Sequence, residues 1–197
     1  MTTQTTIEFQ FHITFDNFST DKKQDFINLC NSENVKPVMI VLPKGDYVNQ
    51  PMFTKLVSYD NFAAADNEVQ KTIEVFTAAG YKLMRKKAEI PPEHAESFPI
   101  PQPGFEPYLE WHCKVIVHDM DVVEGLCSEL GGHLSRNTLD EAGKERFVTI
   151  RQYDKAVFDE SVPPLLNALN QKGIPIVKQK FEYCVFDSKL ELDRGWA

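Results

Sequence analysis

The sequence predicts an α+β protein of two similar halves in tandem, each with an antiparallel sheet, related by a pseudo-twofold axis. Three observations indicate this fold class. The order strand, helix, strand, strand, helix, strand can be traced twice along the 197 residues. Polar and apolar residues alternate strictly over 10–15 and again over 110–115, and this period is typical of a strand with one face on a core. A proline-rich stretch separates the halves.

The elements of the first half follow from local patterns. Strands are expected over residues 9–15, 37–42, 53–59 and 81–90. The first helix places Phe26, Leu29 and Cys30 on one face, because these residues are spaced i, i+3, i+4. The second helix is expected from about Asp66 to Gly80, and glycine is the residue that most often ends a helix.

The second half repeats this order. Strands are expected over residues 110–117, 133–137, 147–153 and 176–186. Asp119 or Asp121 can cap the third helix, which ends at Gly131–Gly132. The fourth helix is expected to begin at Pro163–Pro164, because proline suits the first turn of a helix.

Six prolines lie between residues 91 and 107. Such a density favours an extended chain and disfavours a helix or a central strand. We therefore expect an N-terminal domain over 1–90, a linker over 91–107 and a C-terminal domain over 108–197.

Matched residues in the two halves indicate an internal duplication. The offset is 100 from His12 to His112 and 97 from Cys30 to Cys127, and it falls to 94 between Phe53 and Phe147. The offset drifts in one direction, as a few loop deletions would produce. The repeated order resembles the ferredoxin-like fold, which implies both helices on one face of each sheet and the first strand between the third and fourth.

Composition excludes several function classes. The net charge of −8 argues against nucleic acid or an anionic membrane as the main partner. The chain has no apolar run long enough to span a bilayer, and its four cysteines form no CxxC or zinc spacing. We expect a cytoplasmic protein with a small-molecule partner, without a cofactor or a metal site, and homo-oligomerisation is left open.

The candidate site lies on the face of the second sheet that carries no helix. Three strands present polar side chains to it by alternation. These residues are Glu110, His112, Lys114, Thr149, Arg151, Tyr153, Lys178, Lys180 and Glu182.

His112 is the expected acid or base near neutral pH, and Glu182 or Glu110 is expected to orient its ring or raise its pKa. Arginine and lysine suit phosphate or carboxylate groups. The predicted function is therefore binding of, and action on, a small phosphorylated or carboxylated metabolite in a polar cleft formed by the open sheet faces. The alternative is a non-catalytic assembly module whose charged sheet faces form solvated ion pairs.

The first half offers a weaker version of this patch, with His12 as a further catalytic candidate. Ion pairing without catalysis is the favoured interpretation for that half. Its members are Gln10, His12, Thr14, Lys55, Tyr59, Arg85, Lys87 and Glu89.

Two short stretches resemble known enzyme motifs. Residues 11–15 and 112–115 resemble the His-apolar-Thr/Ser-apolar motifs of two-histidine phosphoesterases, with Lys114 at the hydroxyl position of the second motif. This resemblance implies a phosphoesterase-type hydrolase that holds a cyclic or 2′-linked phosphate between His12 and His112. Residues 110–114 are also similar to the Glu-x-Glu-x-Lys strand of triphosphate-tunnel enzymes, with His112 in place of the middle Glu.

Overall fold

The structure is a computed structural model that describes residues 6–140 and 142–196. Helices and strands follow one another in the order that the sequence predicts. The strands are β1 Ile7–Phe15, β2 Lys36–Val41, β3 Asn49–Tyr59, β4 Leu83–Ile90, β5 Tyr108–Ile116, β6 His133–Asn137, β7 Glu145–Gln152 and β8 Ile176–Asp187. The helices are α1 Lys23–Ser32, α2 Phe62–Ala78, α3 Met120–Leu130 and α4 Lys155–Gln171, with short 3₁₀ turns at Thr20–Lys22, Pro92–His94 and Leu190–Asp193.

The strands form one closed barrel, in the order β1-β3-β2-β6-β7-β5-β8-β4. The predicted fold class of two tandem ferredoxin-like units with open sheets is therefore wrong. Antiparallel pairing of β4 with β8 and of β2 with β6 joins the two halves. Closure satisfies backbone groups that would stay unpaired at the edges of two separate sheets. The local sequence pattern carries no signal for pairing between halves.

Alternation along the central strands decides what lies inside and outside the barrel. β1 lies between β3 and β4, and β5 lies between β7 and β8. The apolar residues of β1 pack outward against α1 and α2, and those of β5 pack outward against α3 and α4. The polar residues of both strands, among them His12 and His112, therefore point into the barrel.

Two helix starts differ from the prediction. α4 begins at Lys155, eight residues before Pro163, because Asp154 caps it by accepting a hydrogen bond from the Val157 amide. The two prolines lie inside the helix, where each removes a backbone hydrogen bond, and burial of residues such as Leu165 offsets this cost. α2 begins at Phe62 and not near Asp66, after an Asn61 cap.

The proline-rich stretch packs against the first half. Phe98 is buried in the same core as Phe9, with ring centroids 5.6 Å apart. The division of the chain into domains stays a prediction. In the part of the chain that the structure describes, no helix combines the length and apolar character that crossing a membrane requires.

The tail, residues 188–196, covers one end of the barrel. Gln50 of β3 donates to the Leu192 carbonyl, and Trp196 Nε1 donates to the Leu134 carbonyl of β6. Asp193 is buried between Arg85 of β4 and Arg151 of β7. The directions of these strands place all the contacts at the same end, so we call it the tail end and its opposite the open end.

Candidate functional site

Three buried carboxylates form the centre of the barrel interior: Glu89 of β4, Glu110 of β5 and Glu182 of β8. Lys87 Nζ lies 2.5 Å from Glu89 Oε1 and also contacts Glu110. Lys180 Nζ lies 2.6 Å from Glu182 Oε1. Each carboxylate thus has an ammonium partner, which is what burial of charge requires.

Two histidines lie beside these carboxylates in matching surroundings. His12 Nδ1 is 2.9 Å from Thr54 Oγ1, and His12 Nε2 is 3.2 Å from Glu89 Oε2. His112 Nδ1 is 2.9 Å from Thr149 Oγ1, and His112 Nε2 is 3.1 Å from Glu110 Oε2. The match arises because each histidine stands directly opposite its threonine in the strand register. The side chains of His12 and His112 are 24% and 27% exposed, so neither is sealed from solvent.

The charges around His112 shift its proton equilibrium. Burial alone lowers the pKa of the His112 imidazole, but the hydrogen bond and charge of Glu110 and the charge of Glu182 outweigh it, so the pKa stands above its usual value. Burial alone raises the pKa of Glu110, but Lys87 and Arg151 hold it well below its usual range. Glu110 is therefore a fixed anion that favours the imidazolium form of His112.

Glu182 differs from Glu110. Burial, with the nearby charge of Glu89, raises the pKa of Glu182 above its usual value, although His112, His12 and Lys180 act in the opposite direction. Of the carboxyl groups of Glu110 and Glu182, Glu182 is thus the one whose pKa is raised.

The arginines belong to the tail end. Arg85 pairs bidentately with Asp187 and contacts Asp193 at 3.0 Å. Arg151 is shared between Glu110, at 2.7 Å, and Asp193, at 2.6 Å. Both guanidinium groups are thus neutralised within the protein.

A cavity of about 300 Å³ lies at the open end. It forms where β4 stops, because Pro91 and Pro92 have no amide hydrogen with which to extend the pairing to β8. Its lining comes from β1, the end of β4 and β8: Glu8, Gln10, Glu89, Ile90, Pro91, Pro92, Glu93, Gln179, Lys180, Phe181 and Glu182. The lining thus carries four carboxylates and one ammonium group.

The structure brings together part of the predicted site. Thr149 is buried beside His112. The members that converge in the barrel interior are Glu110, His112, Thr149, Arg151, Lys180, Glu182 and, from the first half, His12. The catalytic and binding roles assigned to them stay predictions.

Three predicted members lie away from this cluster. Lys114 forms an ion pair with Glu145 near the open end. Tyr153 is half exposed after the end of β7, with its ring 5.6 Å from that of Tyr108. Lys178 is exposed.

Sequence reasoning misplaced a strand face in the first half. Lys55 points outward and donates to Glu68 and Thr72 of α2, whereas Thr54 points inward to His12. Tyr59 also packs outward, against the first core. Thr54 and Thr149 correspond at an offset of 95, one more than the predicted 94, and a shift of one residue exchanges the two faces of a strand.

Sequence reasoning also missed the tail. Asp187 and Asp193 show no pattern that would place them in a barrel. They could have been suspected only from the rule that arginines buried in a protein, such as Arg85 and Arg151, need acidic partners.

Two groups of side chains have the donors and the spacing for a metal ion. The first is His12, Glu89 and Glu182, and the second is Glu89, Glu110 and His112. Within each group, one donor atom per residue lies within 4.8 Å of the others.

Comparisons with known proteins do not place the chain in a family. No protein-family model matches it, and no curated protein matches it. Solved structures that match most of this chain include the small subunit of acetolactate synthase from Thermotoga maritima (11% identity, 91% of this chain and 95% of that chain covered, TM-score 0.31).

A second is a putative monooxygenase from Lactobacillus acidophilus NCFM (12% identity, 92% of this chain and 93% of that chain covered, TM-score 0.34). A third is chlorite dismutase from Candidatus Nitrospira defluvii in complex with imidazole (12% identity, 90% of this chain and 90% of that chain covered, TM-score 0.31). At this distance the similarities support no argument about activity.

Proposed function

We propose that the chain binds a small, positively charged ligand in the cavity at the open end of the barrel. One observation carries the proposal. Four carboxylates, Glu8, Glu89, Glu93 and Glu182, line the cavity, and Lys180 is its single cationic side chain. A cationic group entering there meets a favourable field, which the low dielectric of a partly enclosed site strengthens.

The cavity also has apolar walls, from Ile90, Pro91, Pro92 and Phe181. A ligand pocket typically combines apolar walls with a few polar groups that orient the ligand. The volume of about 300 Å³ suits a molecule of metabolite size.

Of the four cations that the sequence assigned to an anionic ligand, Lys114, Arg151 and Lys180 have carboxylate partners within the protein. Arg151 pairs with Glu110 and Asp193, and Lys180 pairs with Glu182. An anion would have to compete with these carboxylates. The anionic metabolite and the phosphoesterase-type hydrolysis stay predictions from the sequence, and a ligand comparison separates them from the present proposal.

The experiment compares putrescine with succinate, two linear four-carbon molecules of opposite charge, by thermal unfolding at low ionic strength. A ligand that binds only the folded state raises Tm, by about 4 °C at ten times its Kd for a chain of this size. We expect putrescine to raise Tm and succinate to leave it unchanged.

Glu182→Gln should reduce the putrescine shift, because it removes one of the four carboxylates that line the cavity. Glu160→Gln on the exposed face of α4 is the matched control, since it changes the net charge by the same amount. A shift with succinate alone would contradict the proposal and favour the anionic ligand. No shift with either would favour the assembly module.

A further inference from the structure

We infer that the cation bound at the open end is a divalent transition-metal ion, held by His12 Nε2 and the carboxylates of Glu89 and Glu182. The inference rests on the proposed function, because it names the chemical class of the cation. Imidazole nitrogen with two carboxylates is a donor set that suits Mn²⁺, Fe²⁺ and Zn²⁺.

The three donor atoms surround one point, which the amide nitrogen of Gln10 occupies. Gln10 Nε2 lies 2.6 Å from Glu182 Oε1, 2.8 Å from His12 Nε2 and 3.3 Å from Glu89 Oε2. His12 Nε2 and Glu89 Oε2 are 3.2 Å apart, close to the separation of about 3 Å between neighbouring ligands that each lie about 2.1 Å from a metal. The amide thus stands where a cation would be coordinated.

The hydrogen-bonding groups at this point do not match one another. The amide nitrogen of Gln10 can only donate. If His12 Nε2 accepts from it, the imidazole lone pair faces Glu89 Oε2 at 3.2 Å, so two acceptors touch. If His12 Nε2 carries a proton, two donors touch at 2.8 Å.

Rotating the Gln10 amide does not remove the conflict. The rotation would place its oxygen against Glu182 and Glu89 and would break the bond in which Lys180 Nζ donates to Gln10 Oε1. A cation in place of the amide nitrogen satisfies all three donor atoms at once.

The second oxygen of Glu89, Oε1, is turned away from this point and towards Lys87. The side chain of Glu89 is 1% exposed, and its Oε1 atom has no hydrogen-bond partner among residues 6–140 and 142–196. Lys87 Nζ lies 2.5 Å away and supplies charge, but without the direction that a hydrogen bond requires. Glu89 is thus held at Oε1 by charge, and the oxygen that faces the Gln10 amide and His12 is Oε2.

The surroundings have two further properties of metal centres. Thr54 Oγ1 holds the Nδ1 atom of His12, and a ligating histidine usually has such a partner for its second nitrogen. Gln10, Glu89 and Glu182 all line the cavity. Coordination positions not filled by the protein would therefore open towards the cavity, as they do in catalytic metal sites.

The second group, with His112, is a poorer site. Its Glu110 is already paired with both Lys87 and Arg151. Glu182, its counterpart in the first group, contacts one such cation, Lys180. Glu89 belongs to both groups, so the two groups cannot each hold an ion, and one ion per chain is expected.

Calorimetric titration of the chelator-treated full-length protein with Mn²⁺ and Zn²⁺ tests the inference. We expect one ion per chain. His12→Gln and Glu182→Gln should each weaken binding at least about 100-fold, and Thr54→Val about 10-fold, because it loosens the ligand without removing it. His112→Gln and Thr149→Val are the matched controls and should change the affinity less than about 3-fold.

A second readout is independent of affinity. Co²⁺ bound through His12 should give a visible absorption band that His12→Gln abolishes and His112→Gln retains, and circular dichroism checks that each variant is folded. No binding by the folded wild type, or an equal loss in the His112 and His12 variants, would overturn the inference. A putrescine shift without metal binding overturns the metal alone, and failure of both ligands overturns the proposed function as well.

Discussion

The two histidine sites share their scaffold and differ in charge. Opposite Gln10, two residues before His12, the register places Leu56, whereas opposite Glu110, two residues before His112, it places Arg151. Glu110 at the second site is thus paired with both Lys87 and Arg151, whereas Glu89 at the first site is paired with Lys87. Similar strand geometry therefore gives two histidine sites whose carboxylates differ in the cations paired with them.

The two ends of the barrel differ in the pairing of their charges and in what covers them. At the tail end, Arg85, Arg151, Asp187 and Asp193 form a buried network of paired charges. At the open end, Leu56 is 55% exposed and the chain leaves β4 at Pro91 without covering the cavity. The comparison indicates that the tail end is structural and that the open end is available to a ligand.

The largest expected effect separates the two lysines. Lys87→Met should destabilise the fold by about 4 kcal/mol, because it leaves Glu89 and Glu110 buried beside each other without their shared ammonium. Lys180→Met should cost about 1 kcal/mol or less, since Lys180 is 36% exposed and water can replace it. Urea unfolding measures the free energy of unfolding of both variants. Equal losses would show that the ammonium groups of the two lysines do not differ in burial as described.

The tail gives the next effect. Asp193→Ala should lower the free energy of unfolding by about 3 kcal/mol, because it removes a buried partner of Arg85 and Arg151. Glu191→Ala, in the same turn but exposed, should change it little. Urea unfolding of both variants checks this, and an unchanged stability of Asp193→Ala would show that the tail does not close the barrel.

The contribution of Asp193 should depend on pH in one direction. Burial raises its pKa, but the charges of Arg85 and Arg151 and the hydrogen bond from Arg151 outweigh it, so the folded-state pKa lies below the usual value. The stabilisation is therefore complete above the unfolded-state pKa and is lost as the pH falls through the lower folded-state pKa. The difference in stability between wild type and Asp193→Asn, measured from pH 7 down to acid, should shrink only at the acid end. A constant difference would contradict the pairing.

Gln10→Glu tests whether charge alone separates the two histidine sites. It introduces at the first site the carboxylate that Glu110 supplies at the second, without a matching arginine. The metal-free variant should be about 2 kcal/mol less stable than the wild type. Added Mn²⁺ should restore more stability to it than to the wild type, and thermal unfolding with and without the ion measures this. A metal-free variant as stable as the wild type would show that a further negative charge beside His12 costs no stability, and that charge does not separate the two histidine sites.

The smallest expected effect concerns the threonine that each histidine contacts. Thr54→Val and Thr149→Val should each cost about 1 kcal/mol in the metal-free protein, because each removes one hydrogen bond to a histidine. Chemical denaturation should give nearly the same value for both. A large difference would show that the two scaffolds are not equivalent.

The sequence predicted the strands and, for the two central ones, which residues share the polar face; it expected that face to be open and not enclosed in a barrel. Strict alternation around His12 and His112 was sufficient to separate the two faces, because the apolar one had to meet a core. Closure of the barrel was not predictable, since the β2–β6 contact rests on two register pairs, Ile40 with Asn137 and Val41 with Arg136, and no local pattern marks it.

The members of the site were predictable only in part. Glu110, His112 and Glu182 follow from alternation within one half, whereas Lys87 reaches Glu110 across the junction between halves. Which cations remain free depends on such contacts, so the sign of the charge presented to a ligand could not be obtained from the pattern. Lys180 and Arg151, expected to bind an anion, have carboxylate partners for this reason.

Anomalous diffraction from crystals of the protein soaked in Mn²⁺ tests the central claim most directly. The account predicts a single peak per chain between His12 Nε2, Glu89 and Glu182, with the Gln10 amide nitrogen moved away from its position. A peak at His112 and Glu110, or no peak in the barrel while Gln10 keeps its contacts with His12 and Glu182, would contradict it.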